Sequence, residues 1–463
     1  MRDLVPSIEQ SPFHRRSRAI GITLYALALA VLLPIDWFAP TGEFLREFGS
    51  KPASLVLALG GLYGVITARA TSRAYRVRER RATMVLVCVV ILGSVAFMIN
   101  LVLGWSDWRF TRNPVTQFIL QTALIVVAAV SVIGNARLVQ NYPLTDEFLR
   151  VLPWAALAHL FIWSLEASGA IVDSRGILLL FRTDGGIIER ATGLTSEPSY
   201  YGTMAALYGA TLLLTRYRRM KRAVAGVAAV ALYASALSIV AKTIFVVATL
   251  QLITLIVLRP QRSVSRAGLV IISCAAVIIG FLSLESTSVL NLEENLSSAN
   301  RLGSPLLAIN VISSGFGLLG IGFGQFHFFY VDGFAPDILL ISQEATDQMA
   351  FDAPSRASTY NFFVRILLEG GLVSFVLVIG SIIALFRLNI GKYRAPVVML
   401  FAGSLGFLLT QDTYLYPPLV LAVAMLLGGE ETFDRQYKRR FLNSPERVIP
   451  SMQLAELFGA AIR

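Results

Sequence analysis

The sequence predicts an all-α, polytopic integral membrane protein, and three observations support this fold class. Hydrophobic residues make up 55% of the 463 residues, charged residues only 15%, and the mean hydropathy is +0.66. Apolar runs long enough to cross a bilayer recur along the chain. Short basic segments separate several of them. The net charge of +11 is therefore interpreted as anchoring to an anionic inner leaflet, and no nucleic-acid partner is expected.

About twelve spans are predicted from these runs. They cover residues 19–38, 53–68, 82–103, 115–133, 151–172, 199–215, 223–239, 243–258, 267–284, 361–386, 395–410 and 417–428. The apolar block 223–258 is divided around Lys242, because one helix of that length would be too long for a single crossing.

The distribution of arginine and lysine predicts a multi-pass protein of the inner (plasma) membrane with both termini in the cytoplasm. The two densest basic segments, 69–81 and 216–222, then both lie on the cytoplasmic side. The predicted organisation is a cytoplasmic tail (1–18), nine spans (19–284), a long external segment (285–360), three spans (361–429) and an amphipathic cytoplasmic tail (430–463). Such a long external segment is expected to contain short helices and to handle substrate.

Several familiar motifs can be set aside. The GxGxxG spelling from Gly315 to Gly320 follows no strand and is not expected to bind a dinucleotide. Its glycines, with Gly322 and Gly324, are expected to let the backbone turn or pack closely at the membrane interface. No Walker lysine motif, HExxH or Asp-x-Asp pair occurs, and no metal or cofactor is predicted. Cys88 and Cys274 are expected to be packing residues, and His159 a hydrogen-bonded core histidine.

The first segment whose residues could take part in chemistry lies at the start of the sixth span. Thr195 or Ser196 can cap this helix and Pro198 suits its first turn, but a carboxylate at Glu197 is costly beside a membrane unless it has a partner. Capping and function both remain open for Glu197. The preceding outer loop keeps three arginines on the side that such residues normally avoid, namely Arg175, Arg182 and Arg190.

The second set consists of Arg301, Arg356 and Arg365. Guanidinium groups bind phosphate oxygens bidentately, so several of them in one cavity would suit a pyrophosphate. Arg365 lies one turn inside an apolar helix and needs a partner or a polar cavity there. The alternative is that Arg301 and Arg356 are solvated and paired with nearby acids. His327 is a further binding candidate in the external segment.

At these residues the chain resembles the Wzy/WaaL-type superfamily of O-antigen and exopolysaccharide polymerases and O-antigen ligases. Glu197-Pro198-Ser199 is similar to a Glu-Pro-Ser/Asn motif that opens a mid-chain helix in the polymerases. Asn300-Arg301 with the later run Gly320–Gly324 resembles the family's arginine and glycine segment, and Tyr360–Leu372 resembles its re-entry helix. The resemblance covers residues 175–386 in order and spacing.

The resemblance implies a GT-C-like glycosyltransferase that is metal-independent and inverting. Ligases of this family have a histidine where this chain has Tyr360, which favours a polymerase. The implied reaction transfers a growing glycan from undecaprenyl pyrophosphate to a second lipid-linked repeat unit. Arg301, Glu197 and Arg365 are the predicted catalytic residues. The predicted substrate-binding residues are Arg175, Arg182, Arg190, Arg356, Tyr360, Asn361 and His327.

The expected partners are the lipid-linked donor and acceptor, the bilayer and a chain-length regulator. Two other functions stay open. One is a ligase that transfers glycan to lipid A core or to protein. The other is a twelve-helix transporter or flippase of lipid-linked sugars, against which the sequence shows no two halves with corresponding broken helices.

Overall fold

The computed structural model describes residues 12–35, 51–70, 72–103, 113–170, 198–215, 219–238, 242–258, 296–340, 343–349, 358–389 and 395–429, and every regular element in these ranges is helical. The helices are α1 (Pro12–Leu32), α2 (Pro52–Thr67), α3 (Arg73–Val102), α4 (Pro114–Asn141), α5 (Leu144–Ala167), α6 (Pro198–Leu214), α7 (Arg219–Ser238), α8 (Lys242–Leu258), α9 (Leu296–Val311), α10 (Phe326–Phe329), α11 (Asp337–Leu340), α12 (Gln343–Met349), α13 (Phe362–Asn389), α14 (Ala395–Leu408) and α15 (Pro417–Gly428). The prediction of an all-helical fold is confirmed for this part of the chain.

Four helices in the described ranges are long and apolar enough to cross a membrane, namely α3, α4, α5 and α13. The apolar stretches of the other helices, such as residues 20–32 of α1 and 222–236 of α7, have 10–17 residues. A helix of 17 residues is about 25 Å long, somewhat less than the ~30 Å hydrocarbon core of a bilayer. Helices α1–α8 and α13–α15 each coincide with one predicted span, and the span 267–284 lies outside the described residues. The count of about twelve crossings stays a prediction.

Helix boundaries differ from the predicted spans where capping and proline determine them. Helix α1 ends at Leu32, six residues before the predicted end at 38, because Pro34 disfavours helical geometry at Leu33. Helix α3 begins at Arg73 and not at 82, since the Ser72 side chain accepts a hydrogen bond from the Tyr75 N–H. The basic segment before the third span is therefore helical. The division near Lys242 is confirmed, because α7 ends at Ser238 and α8 begins at Lys242.

Helices α6 and α14 form the centre of the bundle. Residues 201–212 of α6 and 396–408 of α14 are buried on every side, as expected for helices that are apolar all round. Helix α6 packs against α5, α7, α8 and α14. The predicted core histidine is confirmed nearby, since His159 Nε2 donates to the Val31 carbonyl over 2.8 Å. Cys88 is a free, half-buried thiol on α3, and Cys274 lies outside the described residues.

Helices α2 and α4 approach each other through glycine. A Cβ atom added to Gly134 would lie 1.8 Å from the Gly61 carbonyl oxygen, so only glycine permits this contact. At one end of this pair, Arg137 of α4 bonds to Glu79 of α3 and to the Val65 carbonyl of α2. Helices α2 and α4 thus end, and α3 begins, at one end of the bundle, here called the basic face because the start of α3 carries Arg73, Arg76, Arg78, Arg80 and Arg81. These three successive helices therefore run in alternating directions, as the predicted order of membrane spans requires.

The opposite end of the bundle contains the first turns of α2, α4, α6, α13 and α15. Residues 296–340 and 343–349, the described part of the segment that is predicted to be external, attach here and have a hydrophobic core of their own. Side chains from α9, α10, α11 and α12 meet around Ile321 and Leu368, so the core includes a residue of α13. The prediction that this segment contains helices is confirmed for its described part. It does not stay wholly outside the bundle, because its glycine run lies between α3, α4 and α13.

Candidate functional site

The first turn of α13 is hydrogen-bonded to residues 409–416, the connection between α14 and α15. Asn361 Oδ1 accepts hydrogen bonds from the N–H groups of Phe363 (3.0 Å) and Val364 (3.1 Å), so Asn361 caps the helix. Its Nδ2 donates to the Leu409 carbonyl over 3.1 Å. The Phe362 N–H donates to the Gln411 carbonyl over 3.0 Å. Both polar ends of Asn361 thus contact protein, which favours a structural role over the sugar contact predicted for it.

Thr359 and Tyr360 continue this junction upstream. The Thr359 N–H and hydroxyl both donate to Asp412 Oδ2, over 2.8 and 3.1 Å. Tyr360 has φ +49°, the only positive φ of a non-glycine residue in the described ranges. Such a conformation costs about 1–3 kcal/mol and persists only where the surroundings impose it. The half-buried Tyr360 is therefore held in a strained geometry between two anchored residues.

Arg365 lies in the interior and its guanidinium is enclosed by protein groups. The side chain is 2% exposed. Its Nη2 donates to Gln121 Oε1 over 2.9 Å, its Nη1 donates to the Asp412 carbonyl, and its Nε lies 3.2 Å from Glu369 Oε2. The guanidinium carbon is 4.2 Å from the centre of the Tyr414 ring. The expectation that a cation in this helix needs partners is met by its geometry.

Glu369 is the counter-ion of Arg365 and is fully buried. The Tyr414 hydroxyl donates to its Oε2. Burial, with the nearby Glu369 charge, raises the pKa of Tyr414 well above its usual range, so the phenol remains a donor. A direct contact between Arg365 and a diphosphate would require several of these contacts to open. The placement therefore favours a positioning role for Arg365 over the direct catalytic role predicted for it.

Helix α13 is interrupted directly after Glu369. Gly371 has φ +75° and ψ 175°, a conformation that is essentially restricted to glycine. The carbonyls of Leu368 and Glu369, freed by the break, accept from the N–H groups of Ile321 (2.8 Å) and Gly322 (2.9 Å). Beyond the break, the Leu372 N–H donates to the Gly317 carbonyl over 3.0 Å. The glycine run of the external segment thus completes the hydrogen bonding of the broken helix.

Close packing explains the glycines in this run. A Cβ atom at Gly320 would lie 2.5 Å from the backbone nitrogen of Gly371, and one at Gly322 would lie 2.7 Å from the Phe97 Cα. At Gly324 it would lie 2.8 Å from the Gln117 carbonyl oxygen. The expectation of close approach is confirmed for these three glycines, whereas Gly315 has open space around it and a φ of +110°, as in a backbone turn.

His327 belongs to the same segment but is not presented to solvent. It lies in the one-turn helix α10 and is 1% exposed. Its ring packs edge-on against Phe328, with 5.8 Å between the ring centroids. This position favours a core role over the substrate contact predicted for it.

The start of α6 packs against the last turn of α14 and the end of the same connection. Tyr200, three residues after Glu197, lies 5.3 Å from Phe407, measured between ring centroids, and Lys51 Nζ lies 6.0 Å from its centroid. The Tyr416 hydroxyl contacts Met204 Sδ at 3.7 Å. The start of α6 and the start of α13, which follow or contain two of the stretches that carry the family resemblance, therefore both contact residues 407–416, the last turn of α14 and the connection after it.

The remaining predicted site residues are not tested by these contacts. Arg175, Arg182, Arg190, Glu197 and Arg356 lie outside the described residues. The backbone of Arg301 belongs to α9, but its side chain is not described. Whether these arginines converge on one cavity stays a prediction.

Sequence reasoning missed the groups that surround Arg365. Glu369 was detectable, because a carboxylate four residues after an arginine in an apolar helix forms an i,i+4 pair. Gln121 and Asp412 come from distant parts of the chain, and only the tertiary structure brings them to Arg365. Lys51 was missed as well, since it lies alone before a short apolar run.

No protein-family model matches the chain, and no curated protein is detectably similar to it. Within the described residues, no group of three or more His, Cys, Asp or Glu could hold a metal ion.

Proposed function

We propose that the protein is a polysaccharide polymerase of the inner membrane, with about twelve spans and cytoplasmic termini. It transfers a growing glycan from undecaprenyl pyrophosphate to the non-reducing end of a lipid-linked repeat unit on the outer face. One observation carries the proposal. The segment that follows Glu197 and the segment that holds Tyr360 and Arg365 both contact residues 407–416, at the end of the bundle opposite the Arg137–Glu79 contact.

The proposed chemistry is a displacement at the anomeric carbon of the donor glycan. The acceptor hydroxyl oxygen forms the new bond to this carbon and loses its proton to Glu197. The bond from the anomeric carbon to the pyrophosphate oxygen breaks, and its electron pair leaves with the lipid pyrophosphate. Negative charge grows on that leaving group, so arginines beside it stabilise the transition state more than the ground state.

Arg301 is the arginine assigned to this leaving group, with Arg175, Arg182, Arg190 and Arg356 as further phosphate contacts. Arg365 and Glu369 are positioning residues that do not contact the substrate. They hold the start of α13 and the 409–416 connection in one arrangement. Buried side chains held by several contacts suit a rigid support for a site.

The direct test is chain growth in proteoliposomes supplied with lipid-pyrophosphate repeat units. The wild type should produce a ladder of products. Arg301→Ala should lower its rate on the order of a hundredfold or more, since one preorganised donor contributes about 3 kcal/mol to transition-state stabilisation. Triple replacement of Arg175, Arg182 and Arg190 by alanine should also abolish the ladder. The control Arg150→Ala, at an exposed arginine near the basic face, should leave it intact. Full activity in every arginine variant would contradict the proposal.

Two other functions give different outcomes in the same assay. A ligase would transfer a finished glycan to lipid A core or protein and would build no ladder. One observation favours a transporter. The apolar helix α13 is interrupted at Gly371 beside a buried ion pair. Broken membrane helices often form substrate sites in carriers. A transporter would move the lipid-linked unit between leaflets without changing its length.

A further inference from the structure

Helix α9 in the external segment has apolar residues on two sides. One side is buried in the segment's own core and contains Leu307, Ala308 and Val311. The other side exposes Leu302 (50%), Leu306 (43%) and Ile309 (44%). Their spacing of four and three residues places them on one face, here called the α9 stripe. No charged residue occurs between 302 and 316. A helix of a water-exposed loop would be expected to present polar side chains on this face.

The α9 stripe continues into the exposed face of a spanning helix. The turn after α9 exposes Leu318 and Leu319. The Leu372 N–H donates to the Leu318 carbonyl over 3.2 Å, which brings this turn against α13. From there Leu372, Val373 and Val376 continue the exposed apolar surface along α13, which is long and apolar enough to cross a membrane. Exposed apolar residues therefore extend from α13 to α9. The exposed Ser313 and Ser314 lie between them, and their hydroxyls donate to the carbonyls of Ile309 and Asn310.

We infer that the α9 stripe is covered by lipid, so that α9 lies in the outer interface of the membrane. The exposed face of α13 has the bilayer as its partner, and exposed apolar residues extend from that face to the stripe. An apolar helix face typically enters the boundary between headgroups and acyl chains, about 5–10 Å deep. The core of the external segment covers the other side of α9, so the helix forms a layer between lipid and protein.

The position of α9 in the membrane interface has a consequence for Arg301, which directly precedes Leu302. The backbone of Arg301 would lie near the depth of the lipid headgroups, where a lipid-linked diphosphate is found. That consequence rests on the proposed function. The interfacial position of α9 itself is inferred independently of the proposed function.

The test places an environment-sensitive fluorophore on single cysteines, in a background in which Cys88 and Cys274 are alanine. The positions are Leu306→Cys on the stripe, Val376→Cys on the spanning helix and Asp337→Cys at an exposed carboxylate of α11. Each protein is reconstituted in vesicles of phosphatidylethanolamine and phosphatidylglycerol. Doxyl-labelled lipid and aqueous iodide serve as quenchers.

Doxyl lipid should quench the label at position 306 about as strongly as at 376 and at least about three times as strongly as at 337. Iodide should quench only the label at 337. Iodide quenching at 306 would place the stripe in water, and protection from both quenchers would mean that a protein covers it. Either result overturns the inference.

A second measurement avoids labelled variants that fail to fold. Wild-type protein in vesicles with a photoreactive phospholipid should give crosslinks within residues 302–309, mapped by mass spectrometry. Their absence, with crosslinks present on α13, would also overturn the inference. Neither experiment needs activity, so failure here leaves the proposed function intact.

Discussion

Arg365 shows how a charge is tolerated inside an apolar helix. Removing a guanidinium and a carboxylate from water costs several kcal/mol for each ion, and the Coulomb attraction offsets this only with good geometry and further hydrogen bonds. Gln121, the Asp412 carbonyl and the Tyr414 ring supply those contacts. They come from α4 and the 409–416 connection, so the ion pair and the packing of three elements depend on each other.

Removing one member of this pair should be strongly destabilising. We expect Arg365→Gln to lower the free energy of unfolding by about 3–5 kcal/mol, because it leaves Glu369 buried without its counter-ion. The matched control is Arg150→Gln, whose side chain is 65% exposed beside Glu147 and whose loss should cost about 1 kcal/mol or less. Titration with SDS in mixed micelles measures both changes. Equal small effects would mean that Arg365 is not held as described.

The Tyr414 hydroxyl should contribute more than an ordinary buried tyrosine hydroxyl. Tyr414→Phe removes a hydrogen bond to the charged Glu369 and should cost about 1.5–3 kcal/mol. Tyr233→Phe is the control, since this buried hydroxyl donates to the neutral Gln251 over 3.2 Å and should cost about 0.5–1.5 kcal/mol.

The effect of Tyr414→Phe should also have a defined pH dependence. Because the pKa of Tyr414 is raised in the folded protein, the phenol stays protonated there. The difference between wild type and Tyr414→Phe should be constant from about pH 6 to 9. It should shrink above about pH 10, where tyrosine ionises in the unfolded chain. A steady change through the neutral range would exclude this assignment.

At the scale of the element, the break in α13 depends on one backbone conformation. Gly371→Ala would force a side chain into φ +75° and place its Cβ 2.5 Å from the backbone of Leu319. We expect a loss of more than about 2 kcal/mol in unfolding free energy. Gly380→Ala, in the same helix but with open space around it, should be neutral or stabilise the protein by up to about 1 kcal/mol. SDS titration of both variants measures the difference. Tolerance of alanine at Gly371 would show that α13 can be continuous.

The helices were largely predictable from the sequence because apolar runs and caps are local signals. Pro34 and Ser72 carry the information that corrects two boundaries, and both are visible in the sequence. The break at Gly371 was not predicted, although Gly370 and Gly371 stand together in the apolar run. A pair of glycines weakens a helix, but the break also requires the N–H groups of Ile321 and Gly322, which lie some fifty residues upstream. Local propensity carries no information about such a distant partner.

For the whole molecule, the sequence identified two candidate segments but not the element that joins them. Glu197 and Arg365 stood out as charges beside or inside apolar runs, which a single sequence reveals. The last turn of α14 and the 409–416 connection had no such signal. Phe407 and Asp412 acquire significance only when Tyr200 and Thr359 pack against them. The predicted meeting of arginines falls mainly on residues outside the described ranges, so it stays a prediction.

The orientation of the molecule decides whether the proposed reaction is external. Arg150 lies in the first turns of α5, close in the chain to the basic face, and Asp337 lies in the external segment; both are exposed. In a background without native cysteines, Asp337→Cys should react with an impermeant maleimide in intact spheroplasts. Arg150→Cys should react only after the membrane is opened, because basic segments remain on the cytoplasmic side. The reverse pattern would put the 409–416 connection in the cytoplasm. A polymerase acting on the outer face would then be excluded, whatever the chemistry of its arginines.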